Sequence, residues 1–273
     1  VAVLLAGGKG TRLHPISTEE KPKQFLNLLS DQSMLEDSID RIKPIFDPDS
    51  IFINTIEKYR GYVEKLPYQS LIEPHGVGTT ASILFNVLEL MKRYDDCVIS
   101  LIPSDHYIKE DEFYRGTLLN AIDIASNSDN VVLIGIKPNG YETGYGYINH
   151  KHGKVVEFKE KPDYEMAKRY VDNGYLWNSG IFVFKASVMY RLYRELKFDI
   201  RMTFQYAYSE GLLGDYYKNI EIKPDSFEKA IIERTNMLSV VKGRFGWSDI
   251  GDLDRYIKFI AKEGREQSWL EKL

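Results

Sequence analysis

An arginine and a lysine placed just beyond a glycine-rich turn can neutralise a polyphosphate, and residues 1–25, VAVLLAGGKGTRLHPISTEEKPKQF, supply that combination. Leu5 and Ala6 close an apolar run; Gly7, Gly8 and Gly10 then leave backbone N–H groups bare for an anion, with Thr11 following. Arg12 offers a planar, permanently charged fork and Lys23 a mobile point charge, a pair able to hold a triphosphate while its charge shifts. Two other phosphate motifs are excluded. Leu13 stands where a dinucleotide fingerprint needs glycine, and no Ser or Thr follows a Gly-Lys pair as a P-loop requires.

Two carboxylates answer these cations. Asp105 lies at the end of an apolar run, in PSDHYI, and Asp249 lies in GWSDIGDL between Gly246 and Gly251. Such a residue can cap a helix or form a turn, or it can ligate Mg²⁺, which needs only one or two carboxylates beside phosphate oxygens. Asp252 and Asp254 read as caps for the last helix. Glu73, in LIEPHGVGTT, suits guanine, whose N1–H and N2–H₂ lie side by side, whereas uracil and thymine present one donor between carbonyls; the plain alternative is a strand-end glutamate in solvent. In ETGYGYI, Gly144 and Gly146 leave backbone open to close approach; Glu160 can accept from hydroxyls, Lys161 can meet a phosphate, and Asn178 in LWNSGIF offers both donor and acceptor. His14, His75, His106, His150 and His152 show no metal-ligand spacing and receive no role, Cys97 reads as core, and the tyrosines from Tyr190 to Tyr217 read as packing.

The strings LAGGKGTRLHPIS and KPKQF resemble the signature of the sugar-1-phosphate nucleotidylyltransferases, and the PKQF ending is similar to the mannose-1-phosphate guanylyltransferase branch. The resemblance implies a catalytic domain with a Rossmann-like, mainly parallel mixed sheet flanked by helices and an antiparallel sugar-binding part. It implies Arg12, Lys23, Asp105 and Asp249 as catalytic residues, with Mg²⁺ on the two aspartates. The implied nucleotide site is Leu5, Ala6, Gly7, Gly8, Gly10, Thr11, Arg12, Lys23, Glu73, Gly78, Thr79 and Asp105. The implied sugar-phosphate site is Tyr145, Gly146, Glu160, Lys161, Asn178 and Asp249. The expected reaction joins GTP and mannose 1-phosphate into GDP-mannose with release of pyrophosphate. Val77 and Gly78 stand where the guanylyl pattern has Arg and Asn, and Gly78 resembles the thymidylyl and uridylyl branches, so transfer to glucose 1-phosphate is the alternative. SFEKAIIERT likewise carries Glu228 and Arg234 where Asp and Lys are commoner. A noncatalytic regulatory homologue would be expected to lose the lysine or a metal aspartate, and a cytidylyltransferase fits PKQF and WNSG poorly.

Positioning these groups requires a substantial core, which 273 residues at 43% hydrophobic content can build. Forty acidic against 36 basic residues, net −4, argue against nucleic acid or an anionic membrane surface as a partner. One cysteine and no apolar run of about 18 residues make the cytoplasm the expected setting. A homodimer is compatible with the sequence. Strands are expected at 1–5, 51–54, 70–73, 97–103 and 131–136, alternating with helices at 33–43, 57–66, 79–94 and 111–128. Such alternation demands a largely parallel sheet with ligands beyond the carboxyl ends of its strands. A hairpin at 145–149 and 155–159 follows, then strands at 180–184 and 237–241 and helices at 164–172, 186–196, 200–211, 226–233 and 254–263. A single domain is expected over 1–273, with 1–136 mainly for the nucleotide and 137–273 mainly for the sugar phosphate.

Overall fold

The computed structural model describes residues 1–219 and 226–263. Its strands are β1 (Ala2–Leu5), β2 (Ile51–Ile56), β3 (Gln69–Glu73), β4 (Val98–Pro103), β5 (Tyr107–Ile108), β6 (Val131–Ile136), β7 (Gly146–Lys151), β8 (Lys154–Glu160), β9 (Leu176–Lys185), β10 (Leu238–Gly243) and β11 (Trp247–Ser248). Its helices are α1 (Met34–Ile42), α2 (Arg60–Val63), α3 (Thr79–Met91), α4 (Asp111–Ser126), α5 (Tyr164–Asp172), α6 (Ala186–Leu196), α7 (Phe198–Ser209), α8 (Leu213–Asn219), α9 (Phe227–Ala230) and α10 (Leu253–Glu263).

Nine strands form one mixed sheet in the order β3-β2-β1-β4-β9-β6-β10-β8-β7. The strands of the first half read as unbroken apolar runs because both faces are covered. In β1, Val3 turns to the side of Leu84 and Val87 of α3 and Met189 of α6, while Ala2 and Leu4 turn to Leu35 and Ile39 of α1 and Leu118 of α4. A third cluster joins Leu13 and Met34 to Ile250 and to Tyr256, Phe259 and Ile260 of α10. The capping box of α1 forms as its sequence predicts: Glu36 N donates to Ser33 Oγ at 3.3 Å and Ser33 N to Glu36 Oε2 at 2.9 Å.

Several elements differ from expectation, among them α8, which the sequence reading lacks, and the helix expected at 226–233, which is α9 followed by a 3₁₀ turn at Ile232–Arg234. The helix expected at 57–66 is a 3₁₀ turn at Glu57–Tyr59 followed by only four helical residues, since Gly61 weakens the segment and Pro67 closes it off. β9 begins earlier than expected and runs antiparallel between β4 and β6 in the middle of the sheet. Its first residues therefore lie at the carboxyl edge of β6, with Asn178 opposite Gly135. Finally, the short strands β5 and β11 pair with each other, Ser248 with Tyr107 and Trp247 with Ile108.

Candidate active site

The carboxyl edge of the sheet opens into a cavity of about 620 Å³, lined by the glycine loop, Arg12, Lys23, Asp105, Asp249, Glu73, Glu160 and Lys161 among others. The glycine loop is held from beneath. Gln24 Nε2 donates to the carbonyls of Ala6 and Gly8 at 2.8 Å each, and Thr55 Oγ1 donates to Ala6 O at 2.9 Å. Gly10 has φ +63°, and a Cβ there would lie 2.7 Å from the Lys23 backbone nitrogen, so glycine is required where the loop meets the lysine turn. Beyond it, a 3₁₀ turn at Thr11–Leu13 buries Leu13 and leaves Thr11 and Arg12 exposed.

Lys23 is 4% exposed and is the hub between the aspartates. Its ammonium pairs with Asp105 Oδ2 at 3.1 Å and donates to the backbone carbonyl of Asp249. Asp105 follows β4 and Asp249 follows β11, and the β5–β11 pairing draws together two segments far apart in sequence. Burial pushes the Asp105 carboxyl up, but Lys23, with His106 and Arg12, outweighs it and holds the group below the usual carboxylate range. The Asp249 carboxylate faces Tyr145 instead, whose hydroxyl donates to Oδ1 at 2.6 Å. Burial, joined by this carboxylate, pushes the Tyr145 phenol well up.

Sequence reasoning passed over His106, yet it lines the same cavity. Its Nδ1 accepts from Trp247 Nε1 at 3.2 Å, and burial lowers its pKa, so the neutral ring carries its proton on Nε2, 3.9 Å from Asp105 Oδ1. No local spacing signals this role; the partner comes from β11. Gln24, although part of the KPKQF string, likewise shows its loop-holding role only in the fold, where its amide meets the carbonyls of Ala6 and Gly8.

At the other end, Glu73 lines the same cavity and is not the solvent glutamate of the plain alternative: it is 2% exposed, and protein donors face both of its oxygens. Oε1 accepts from Ser82 Oγ at 2.6 Å and from Asn54 Nδ2 at 3.0 Å, and Oε2 accepts from Tyr217 Oη at 2.9 Å. Burial pushes its pKa up, against the pull of these three hydrogen bonds. Tyr217, assigned to packing from sequence, thus carries a specific polar bond as well. Gly78, at φ +104°, precedes the first turn of α3, and Thr79 Oγ1 accepts from Phe227 N at 3.1 Å.

The residues expected to meet the sugar phosphate converge as well. Tyr145, Gly146, Glu160, Lys161 and Asn178 line the cavity beside Asp249. A Cβ on Gly146 would stand 2.7 Å from Glu160 Oε2 and from Phe158 Cζ, so this position admits no side chain without displacement. Lys161 donates to Glu160 Oε1 at 2.6 Å. Burial and the facing Glu228 raise the Glu160 pKa, which Lys161 opposes. Asn178 Oδ1 accepts from Gly180 N at 3.2 Å, fixing the orientation of the amide.

A glycine loop, two cations and two aspartates around one cavity match what comparison with known proteins finds: the sequence family described as Nucleotidyl transferase matches residues 1–266. The chain belongs to the nucleotidyl transferase family. It is 32% identical to the xanthan biosynthesis protein XanB of Xanthomonas campestris pv. campestris, over 96% of this chain and 60% of that protein. It is 31% identical to the mannose-1-phosphate guanylyltransferase of Salmonella muenchen, over 92% of this chain and 57% of that one. The chain thus spans about 60% of the length of these curated relatives. A solved structure named mannose-1-phosphate geranyltransferase, from Thermus thermophilus, superimposes with a TM-score of 0.83 at 31% identity, covering 92% of this chain and 76% of its own. The fold is shared with a glucose-1-phosphate thymidylyltransferase from Bacillus anthracis at 16% identity and a TM-score of 0.63. Among the described residues, no helix is long and apolar enough to cross a membrane.

Proposed function

We propose that the protein transfers a guanylyl group from GTP to mannose 1-phosphate, forming GDP-mannose and pyrophosphate. The observation that carries this reading is Lys23, held between Asp105 and Asp249 in a cavity that the glycine loop lines together with Glu160, Lys161 and Asn178. Similarity to proteins named mannose-1-phosphate guanylyltransferase supports GTP and mannose 1-phosphate over other pairs.

In this reaction an oxygen of the sugar phosphate attacks the α-phosphorus in line, the bond to the β-phosphate oxygen breaks, and pyrophosphate departs. The nucleophile is already an anion, so no general base and no covalent enzyme intermediate are required; positioning and neutralisation of crowded charge carry the catalysis. Arg12 and Lys23 face the triphosphate from the glycine-loop side. Glu160, Lys161, Asn178 and Gly146 hold the hexose and its phosphate. The base lies against Glu73, Gly78 and Thr79, which line the cavity.

Asp105 and Asp249 fit Mg²⁺: Asp105 is kept ionised with its side chain 37% exposed at the cavity, and Asp249 presents a carboxylate to the same space. Bound there, the ion would supply charge neutralisation and align the phosphates of both substrates. The setting proposed is the cytoplasm.

The test is pyrophosphate release from a matrix of five nucleoside triphosphates against several hexose 1-phosphates with Mg²⁺. GTP with mannose 1-phosphate is expected to give the highest kcat/KM. A higher value for dTTP or UTP with glucose 1-phosphate would replace the substrate assignment, and no release from any pair would overturn the enzymatic reading.

A further inference from the structure

Asp249 is gripped more tightly than a loop carboxylate needs to be. Its backbone carbonyl is bound by Lys23, Gly251 N donates to Oδ1 at 3.1 Å, and the Tyr145 hydroxyl donates to the same oxygen. The next residue, Ile250, sits at φ +44°, a region costly for a β-branched side chain, and is fully buried in the cluster beneath α10. The remaining restraint comes from Arg255 in the first turn of α10. Its Nη1 lies 3.3 Å from Asp249 Oδ1 and 3.4 Å from Oδ2, its Nη2 binds Glu142, and its Nε lies 3.5 Å from Asp252 Oδ2. The guanidinium also lies over the Tyr145 ring, 4.8 Å from its centroid.

The surroundings are shaped to admit this group. A Cβ on Gly144 would come within 3.2 Å of Nη2, and one on Gly251 within 3.0 Å of Nη1. Arg255 lies behind the wall: Asp249, Tyr145, Gly144 and Gly251 line the cavity and Arg255 does not. One guanidinium thus faces three carboxylates, those of Asp249, Glu142 and Asp252, and offsets their mutual repulsion at the point where one of them must be presented to a cation. With Oδ1 taken by Tyr145 and Gly251, Oδ2 keeps acceptor capacity to spare.

Resting on the transfer reading above, we infer that Arg255 is a positioning residue for Asp249, which together with the Tyr145 hydroxyl fixes the carboxylate so that Oδ2 is the oxygen offered to a divalent cation. An arginine suits this task better than lysine because its fork reaches Asp249, Glu142 and Asp252 at once. Removing a group that orients a metal ligand in this way lowers metal affinity by about 10–100-fold.

The test uses Mn²⁺ as the probe, titrated by electron paramagnetic resonance into the protein with a non-hydrolysable GTP analogue, alongside thermal melts. Arg255→Gln is expected to weaken Mn²⁺ binding at least about tenfold, with Arg255→Lys recovering only part. Tyr145→Phe, which deletes one hydroxyl, is expected to weaken it in the same direction and serves if Arg255→Gln does not fold. Unchanged Mn²⁺ affinity in folded Arg255→Gln, or in Tyr145→Phe should the first variant not fold, overturns the inference while leaving the transfer reading intact. Failure of the wild-type chain to bind Mn²⁺ with the analogue overturns this inference together with the metal assignment, and pyrophosphate release then judges the transfer reading separately.

Discussion

Lys23→Ala separates catalysis from stability in this site. The ammonium is 3.1 Å from Asp105 Oδ2; at an effective dielectric of about 20, that separation corresponds to an attraction of about 5 kcal/mol. The Asp105 side chain is 37% exposed, so water screens the pair, and desolvating a lysine that is 4% exposed has its own cost. Together these reduce the net stabilisation to about 1–2 kcal/mol. For a chain of this size that is a fall in Tm of about 2–8 °C. The transition state loses more. A positive charge aimed at the departing pyrophosphate contributes about 2.7–4 kcal/mol in a partly dehydrated site, so turnover should fall by about 10²–10³-fold. Lys23→Met, which retains the apolar stem without the charge, should show the same loss with a smaller change in Tm. Pyrophosphate release at saturating substrates, measured beside circular-dichroism melts, provides both quantities. Turnover within about threefold of wild type in a folded Lys23→Met protein would remove the lysine from the mechanism.

Two further perturbations probe the ends of the cavity. Glu73 has a pKa raised by burial, so the folded chain holds a proton that the unfolded chain releases above about pH 4.3, and stability is lost as pH climbs from there through the folded value. The groups facing it on β2, α3 and α8 are Asn54, Ser82 and Tyr217. Glu73→Gln, which keeps an acceptor and cannot ionise, is therefore expected to melt within a few degrees of wild type at pH 5 and to gain relative to it by pH 8; an equal Tm difference at both pH values would show that the carboxyl is not held neutral. Gly146→Ala forces a methyl against Phe158 and Glu160. At about 1–3 kcal/mol for overpacking, it should raise KM for the sugar phosphate about tenfold with KM for the triphosphate unchanged, and an equal rise in both would place Gly146 outside the sugar end.

What could be read in advance follows from how local each cause is. β1 is legible because two covered faces leave no polar position in it, and the start of α1 because Ser33 and Glu36 satisfy each other within one turn. The glycine loop is legible for the same reason: Gly10, Arg12 and Lys23 act within one stretch of chain. Asn178 could be nominated as a polar residue near a sugar, but not placed, because its position depends on β9 running backwards between two strands distant in sequence. The surroundings of Glu73 are hidden for a related reason. Its type and place at a strand end suit a ligand, whereas Asn54, Ser82 and Tyr217 come from three other elements, and only their meeting consumes its acceptors. His106 and Arg255 likewise acquire their roles from partners more than a hundred positions away, through Trp247 and Glu142. The side chains proposed for catalysis thus lie in short, recognisable strings, while the groups that hold them are scattered. A substitution at Arg255 should change metal affinity without altering any string by which the site would be recognised.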